Sequence, residues 1–413
     1  MSSGARAVFS HRDFRLYWIA IFAEGFGLTM ALVAIGWQVY SVRGNALDLG
    51  LVGLAEFLPL LLFALPAGQL ADRVSRRRLL VVMVVLDIVM LGGLLVVTVS
   101  GADEVWPFFA LAFLFGTSSA LGAPAGRALT PSLVPEELLV SALAQRSIVN
   151  QISLVSGPAV GGLLFAVRAE LVYAIAIALA LVSLVCFLSL RTGRMPAAEG
   201  VEGLNEVLAG VRHIRRTNVL LGAISLDLFA VLLGGAVALL PIFAKDVLEV
   251  GPTGLGLLRA APALGAFIAA LWLARHPIRR RAGPTLFLVV ASFGVSMVVF
   301  GLSRELWLSM LALACGGAVD MVSVVLRSTI LPLVTPDELR GRVNAVEMVF
   351  ISGSNELGAF ESGVAAALVG AVPAVVAGGV ATIVIAGLWW KLFPSLAKVD
   401  RLDELRPVAL EPM

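Results

Sequence analysis

Apolar residues in this chain come in continuous runs, each about as long as the hydrocarbon core of a bilayer is thick. Runs of about 20 residues suffice for a helix to cross a membrane. They fall at 16–40, 49–70, 79–99, 106–127, 142–166, 170–190, 218–243, 254–274, 284–302, 306–327, 343–369 and 373–393. None shows the alternation of a barrel strand, so the pattern predicts an all-α polytopic membrane protein with twelve transmembrane helices. The first run is too long for the apolar region of a signal peptide and is expected to stay as a permanent helix.

Composition agrees, with 59% hydrophobic and 14% charged residues and a mean hydropathy of +0.98, which excludes a soluble domain. The placement of charge says more than the net +2. With the N-terminus inside, 25 of the 30 Lys and Arg residues lie on cytoplasmic segments or adjoining helix ends; the other five are Arg43, Arg168, Lys245, Arg259 and Arg304. That split predicts a multi-pass protein of the inner (plasma) membrane with both termini cytoplasmic. Cys186 and Cys315 lie in apolar runs, so neither a disulfide nor a thiolate metal site is expected, and His11, His213 and His276 are scattered.

The longest loop divides the chain into a six-helix bundle (1–190), a linker (191–217), a second six-helix bundle (218–394) and a tail (395–413). In the linker, Leu204, Val207, Leu208, Val211 and Ile214 recur at helical spacing beside Arg212, Arg215 and Arg216. This suits an amphipathic helix on the anionic inner leaflet, or a regulatory partner site. The halves also align with each other. At an offset of 203, Glu24 falls on Asp227, Glu56 on Arg259, Pro59 on Pro262 and Asp72 on Arg275. At 201 the PEEL segment from Pro135 falls on Pro336-Asp337-Glu338-Leu339 and Gly157 on Gly358; at 200, Arg127 falls on Arg327. The ordered series predicts duplicated, pseudo-symmetric bundles, with function where the repeats face each other.

Three groups of residues carry candidate mechanics. Gly68, Asp72, Arg73, Arg76, Arg77 and Arg78 form a polar turn between two apolar runs, read as a conformational latch that bridges helix ends in one state; a solvated charge run is the plainer alternative. Gly157, Pro158, Gly161 and Gly162 give one helix a small, bent face, suited to a rocking joint or to ordinary close packing. The third group is the ionisable residues inside apolar runs: Glu24, Glu56, Asp87, Asp227, Arg259, Asp320, Arg327, Glu356 and Glu361. Each costs roughly 2.5–3.5 kcal/mol at a helix centre, which makes function the first hypothesis for it. Glu24 and Asp227 lead, about nine residues or roughly 13 Å into their spans. A desolvated carboxylate there either takes up and releases protons or is tied permanently to an arginine. Glu56 and Arg259 form an ion pair, or Arg259 draws in an anionic substrate. Asp320 and Arg327, seven residues apart, share a helix face. Arg127 and Arg327 are read as partners of the acidic loop residues.

These motifs resemble those of the major facilitator superfamily over nearly the whole chain. The loop motif is matched at Gly68, Asp72, Arg73, Arg76, Arg77 and Arg78, with Ser75 in place of a second glycine; the Gly-Pro-x-x-Gly-Gly motif is met by Gly157 to Gly162. Thr335 to Val346, TPDELRGRVNAV, is similar to the branch of enterobactin-type siderophore exporters and multidrug efflux proteins. The resemblance implies a major facilitator fold in which spans 1, 4, 7 and 10 line the cavity, and export by antiport through the Gly-Pro motif. It also implies a peripheral Asp87, since third spans lie outermost. Glu24, Asp227 and Asp320 then become the proton-coupling candidates, and Trp37, Phe229, Phe243 and Arg259 the substrate-cavity candidates.

The expected protein is a proton-driven exporter of a small amphipathic molecule, such as a siderophore or lipophilic drug. Alternatives are an uptake permease of the same fold and a non-transporting sensor or scaffold. No phosphate loop, catalytic constellation or metal-ligand spacing points to an enzyme. No cofactor, metal or nucleic acid is expected; the partners are the substrate and membrane lipid, and the protein is expected to act as a monomer.

Overall fold

The computed structural model describes residues 3–101, 103–191 and 204–407, and their side chains except at 3–5, 64–73, 204–208 and 352. Among the described residues the regular structure is helical, with no strand. The first six long helices are α1 (Arg12–Arg43), α2 (Ala46–Arg73), α3 (Arg76–Ser100), α4 (Trp106–Leu129), α5 (Leu139–Val167) and α6 (Ala169–Leu188). The second six are α7 (Asn218–Gly234), α8 (Gly251–Arg275), α9 (Ala282–Leu302), α10 (Leu306–Val334), α11 (Asp337–Val369) and α12 (Ala371–Leu392). Among the described residues, eleven spans are long and apolar enough to cross a membrane. The other expected span is α11, whose 33 residues exceed the required length but include Glu347, Glu356 and Glu361.

Local chemistry sets the breaks between spans. Gly44, at φ 63°, ends α1 in the left-handed conformation, and its N–H returns to Tyr40 O at 2.8 Å. Ser75 caps α3 by accepting the Arg78 N–H at 3.4 Å. The seventh span is not the continuous helix its apolar run suggests. Helix α7 stops at Gly234, and a short 3-10 turn at Val237–Leu239, a helical turn at Leu240–Ile242 and a π-type turn at Phe243–Val247 complete the crossing. The Ser362 hydroxyl of α11 donates to the freed Gly235 carbonyl at 2.9 Å. Irregular backbone at membrane depth needs such an internal partner.

The chain separates into two compact units, Met1–Gly200 with Ala244–Ala260, and Val201–Phe243 with Ala261–Met413. The segment Ala244–Ala260 therefore groups with the first unit although it follows the linker in sequence. Inside each unit the packing is the same. Helix α1 packs on α5 and α6, and α3 on α4 and α6; correspondingly α7 packs on α11 and α12, and α9 on α10 and α12. Lipid supplies no hydrophobic drive between helices, so close packing at small residues holds them. A Cβ on Gly116 of α4 would lie 2.1 Å from the Glu56 carbonyl of α2, and one on Gly317 of α10 would lie 2.0 Å from the Pro262 carbonyl of α8. Gly317 is the counterpart of Gly116 at an offset of 201, and each meets the backbone of the second helix of its bundle.

The first part of the linker, 192–203, lies outside the described residues. Its helix, Leu204–Arg216, was expected on lipid, but its described apolar residues face protein: Ile214 is buried in the second unit's core and Val211 packs against it. Gly210 lets this helix approach the Arg342 backbone of α11. The small residue on this face explains why the second unit, rather than lipid, receives it.

Candidate functional site

In the first unit the polar centre is built by α1, α3 and α4. Glu24 is half-buried on α1, and its electrostatic neighbour is Asp87 of α3. Asp87 was expected at the periphery of the bundle; it is instead 1% exposed. Its Oδ1 lies 2.6 Å from Ser118 Oγ of α4, which is itself 3.1 Å from the Met83 carbonyl, while Asp87 Oδ2 has no partner. Position 87 faces α4, on the side of α3 opposite the exposed Val82, Val85 and Val89. Nearer the start of α1, the Tyr17 hydroxyl donates to Gly126 O at 2.9 Å and sits 3.0 Å from Thr130 Oγ1. Gln38 donates to Thr98 of α3 at 2.9 Å and accepts from Tyr173 of α6. Sequence reasoning missed Ser118, Gln38 and Tyr173, whose polarity is too mild to stand out in an apolar run.

In the second unit Asp227 of α7 takes the other alternative left open by the sequence. Its carboxylate is ion-paired with Arg327 of α10 at 2.8 Å, both side chains being buried. Glu347 of α11 lies 3.8 Å from the same guanidinium, and Asp320 is a further electrostatic neighbour of Asp227. Asp227, Asp320 and Ser323 share the wall of a narrow cavity with Phe293, Val289 and Val290. Ser323 Oγ and Arg327 Nε are buried without partners. Arg327 is therefore an interior pairing residue and not, in this state, an answer to an acidic loop. Glu347 was not among the expected sites, although its place four residues inside the span 343–369 was a usable signal.

The mechanical motifs resolve in part. Gly68, Asp72 and Arg73 lie outside the residues whose side chains are described. Arg76 donates to Ala128 O at the end of α4 (2.8 Å), and Arg77 to Phe187 O (2.9 Å) and Leu188 O at the end of α6. These carbonyls lie at helix ends, where cations suit them. A Cβ on Gly157 would lie 2.0 Å from Thr29 Oγ1 and one on Gly161 2.6 Å from Met30 O, so those two glycines seat α5 on α1. A Cβ on Gly162 would lie 2.5 Å from Pro252 O, and one on Gly256 2.4 Å from Pro158 O, so the other side of the motif seats the start of α8. That segment is held to α1 as well: Tyr40 donates to Asp246, Lys245 lies 5.4 Å over the Tyr40 ring, and Arg259 donates to Leu32 O at 2.9 Å. Glu56 lines a narrow cavity of the first unit with Leu28, Met90 and Phe115.

The expected cavity residues are each placed within their own unit. Trp37 meets Phe165 edge-on at 6.5 Å, and Phe229 leans on Trp389 of α12 at 5.3 Å. Phe243 is fully buried against Phe300 of α9, in the core of the second unit. Its bulk and the break of span 7 turn it away from any open wall. Arg127 is exposed at the end of α4, with Arg146 as an electrostatic neighbour.

Comparison with known proteins places this architecture. Residues 3–409 match the family described as "transmembrane secretion effector". The chain is 28% identical over 346 residues to the enterobactin exporter EntS of Shigella dysenteriae serotype 1, covering 82% of this chain and 81% of that protein. The enterobactin exporter EntS of Escherichia coli O1:K1 is 28% identical over 348 residues, with the same shares. Among solved structures, a bacterial homologue of the human lysosomal transporter Spinster, inward-facing and unoccupied, superposes with TM-score 0.71 at 13% identity, over 96% of this chain and 99% of that one. The nucleoside transporter NupG superposes with TM-score 0.67 at 13% identity, over 94% and 99%. These structures share the fold, and the family match covers nearly the whole chain: it belongs to the major facilitator superfamily and is a multi-pass membrane transporter, not an enzyme.

Proposed function

We propose that the protein exports a small amphipathic molecule of siderophore or lipophilic-drug type, by alternating access, in exchange for protons. The likeness to enterobactin exporters over 82% of the chain carries the direction and the substrate class. Proton coupling is supported by Glu24, a carboxyl group within a membrane span whose electrostatic neighbour is another acid rather than a base. Neutralising it lowers the cost of enclosing it in a low-dielectric interior, so protonation favours the switch between states. Asp227 and Asp320 are the candidates of the second repeat, Asp227 being held by Arg327 in the present state. The contacts Tyr40–Asp246 and Arg259–Leu32, inside the first unit, are the ones proposed to open in the alternate state, with the Asp72 loop as the opposing latch.

Both termini are proposed to be cytoplasmic, in the inner membrane, on the 25-to-5 division of basic residues. Cysteines placed singly at Asn45 and Ser75, after removal of Cys186 and Cys315, test this; an impermeant reagent should label position 45 from outside intact cells and spare position 75. The reverse pattern overturns the orientation. Function is tested in inverted vesicles with enterobactin and a lipophilic cation as probes. Uptake driven by an inward-acid gradient and abolished by a protonophore is expected. Flux of both probes that ignores the gradient removes the coupling, and probe movement only in the opposite sense makes the protein an uptake permease.

A further inference from the structure

We propose that Asp87 and Glu24 act as a carboxyl pair holding a single proton, with the Ser118 hydroxyl as the residue that positions it. Asp87 is thus a second proton-handling residue of the first repeat; the proposal rests on the proton-coupled reading above and extends it.

The hydrogen-bond chain carries the inference. Ser118 Oγ has one proton but faces two oxygens, Asp87 Oδ1 at 2.6 Å and Met83 O at 3.1 Å. If Asp87 is ionised, that single hydroxyl proton goes to its Oδ1, and the second carboxylate oxygen stays charged, buried and unpartnered. If Asp87 carries a proton on Oδ1, it donates to Ser118, and Ser118 donates to Met83 O. Every donor then has an acceptor, and the unpartnered Oδ2 is only a neutral carbonyl oxygen. A buried charge without a partner costs far more than a neutral polar atom, so the second arrangement wins.

The surroundings explain why the proton is shared. From α1 the facing ionisable groups are Glu24 and, further along, Tyr17, which has Arg146 of α5 as a further electrostatic neighbour. From α4 it is Ser118, with Arg127 at the far end of that helix. From α2 it is Glu56, which lines a cavity with Met90, one turn from Asp87. The buried part of α6 offers Ser183, Cys186 and Tyr173. Among the described residues no Lys, Arg or His is bonded to either Asp87 or Glu24. Two neighbouring carboxylates in a medium of low dielectric constant cannot both ionise, so one proton remains on the pair over a wide pH range. Glu24 is the less deeply buried member and Asp87 the sealed one, which makes Glu24 the point of exchange and Asp87 the store.

Infrared difference titration of the full-length protein in lipid nanodiscs reads the protonated carboxyl bands directly and needs no substrate. Wild type, Glu24→Gln, Asp87→Asn and Ser118→Ala are compared. A shared proton requires that removal of either carboxyl shift the titration midpoint of the other by about one pH unit or more. Ser118→Ala, which keeps both acids, should move the same midpoint and so serves if Asp87→Asn does not insert. Midpoints unchanged in every variant, or bands that vanish independently, overturn the pair. A midpoint that tracks sodium when choline replaces it overturns the proton as occupant and gives the site to a metal cation. Vesicle flux separates this from the wider reading: coupled flux with independent titrations sinks the pair alone, and shared titration without coupled flux sinks the export mechanism alone.

Discussion

Glu24 and Asp227 occupy the same place in the two repeats, yet the two units treat them in opposite ways. In the first, the acid on α1 faces another acid, Asp87, with a serine between α3 and α4. In the second, the acid on α7 is clamped by Arg327 at 2.8 Å, with Glu347 and Asp320 around it. The helices differ accordingly. Helix α1 runs unbroken for 32 residues, whereas α7 stops after 17 and its span continues through irregular turns. Duplication supplied two copies of one bundle, and they diverged: among the described residues no cation is bonded to the acid of the first, whereas a guanidinium holds that of the second. The second turned its acid into a brace joining α7, α10 and α11.

The sharpest way to break this comparison is to remove Arg327. Arg327→Leu leaves Asp227 and Glu347 buried near each other without a cation, and breaking a buried pair costs about 3–5 kcal/mol. The expected result is a large fall in the thermal midpoint of detergent-purified protein, or failure to accumulate. Arg327→Leu combined with Asp227→Leu should recover much of the loss, because no uncompensated charge then remains on α7. A single mutant as stable as wild type would mean that the pair is no brace.

The paired amides come next and should move in opposite directions. Asp227→Asn weakens the clamp and should lower the thermal midpoint, with a matching loss of transport. Glu24→Gln removes a costly buried carboxyl, so stability should hold or rise while proton-driven accumulation is lost and substrate exchange survives. Flux and melting curves on both proteins decide it. If Glu24→Gln accumulates substrate at the wild-type rate, the coupling site lies elsewhere, with Asp320 the next candidate.

The spans were legible because lipid demands long apolar helices, and even α11 could be placed despite Glu347, Glu356 and Glu361. The duplication was legible too, through offsets as specific as Gly157 on Gly358, both of which turn their small faces to the first helix of their own bundle. The face of a helix was not legible. In spans apolar all round, periodicity does not tell which side points inward, so Asp87 could be placed on α3 but not turned toward Ser118. Pairing was equally hidden, because Arg327 finds Asp227 across 100 residues of sequence. Rigid breaks such as Gly234–Gly235 are invisible in hydropathy, which falls little at a glycine.

A smaller contrast lies in how α3 and α9 begin. Ser75 caps α3 locally through a long 3.4 Å bond, whereas α9 borrows its cap from the tail. Asp400 accepts the Arg281 N–H at 2.9 Å, and the Asp400 and Val399 carbonyls accept from Ala282 and Gly283. Asp400→Ala should therefore cost about 1 kcal/mol and Ser75→Ala about 0.5 kcal/mol. Hydrogen exchange of the first turns of the two helices reads each loss separately. Unchanged exchange at the start of α9 in Asp400→Ala would show that this side chain carries no capping load.

The smallest expected effect concerns the helices that lead into the two bundles. His213, on the linker helix of the second, corresponds at the offset of 203 to Ser10, which is exposed and donates to Ala7 O at 2.6 Å. His213 is buried beside Val334, and its Nε2 has no partner. Burial pushes the imidazole below its usual value, against an opposing hydrogen bond with the Val334 backbone. A histidine with a depressed value binds fewer protons folded than unfolded, so its contribution is present above the unfolded value of about 6.5 and is lost as pH falls below it. Hydrogen exchange across Leu204–Arg216 should accordingly speed up between pH 7 and pH 5 after correction for intrinsic rates, roughly twofold or more. His213→Gln should remove that dependence while leaving the helix in place, and the region around Ser10 should show none. Protection of the linker helix that is identical at both pH values would mean that the imidazole stays solvated and gives that helix no pH sensitivity.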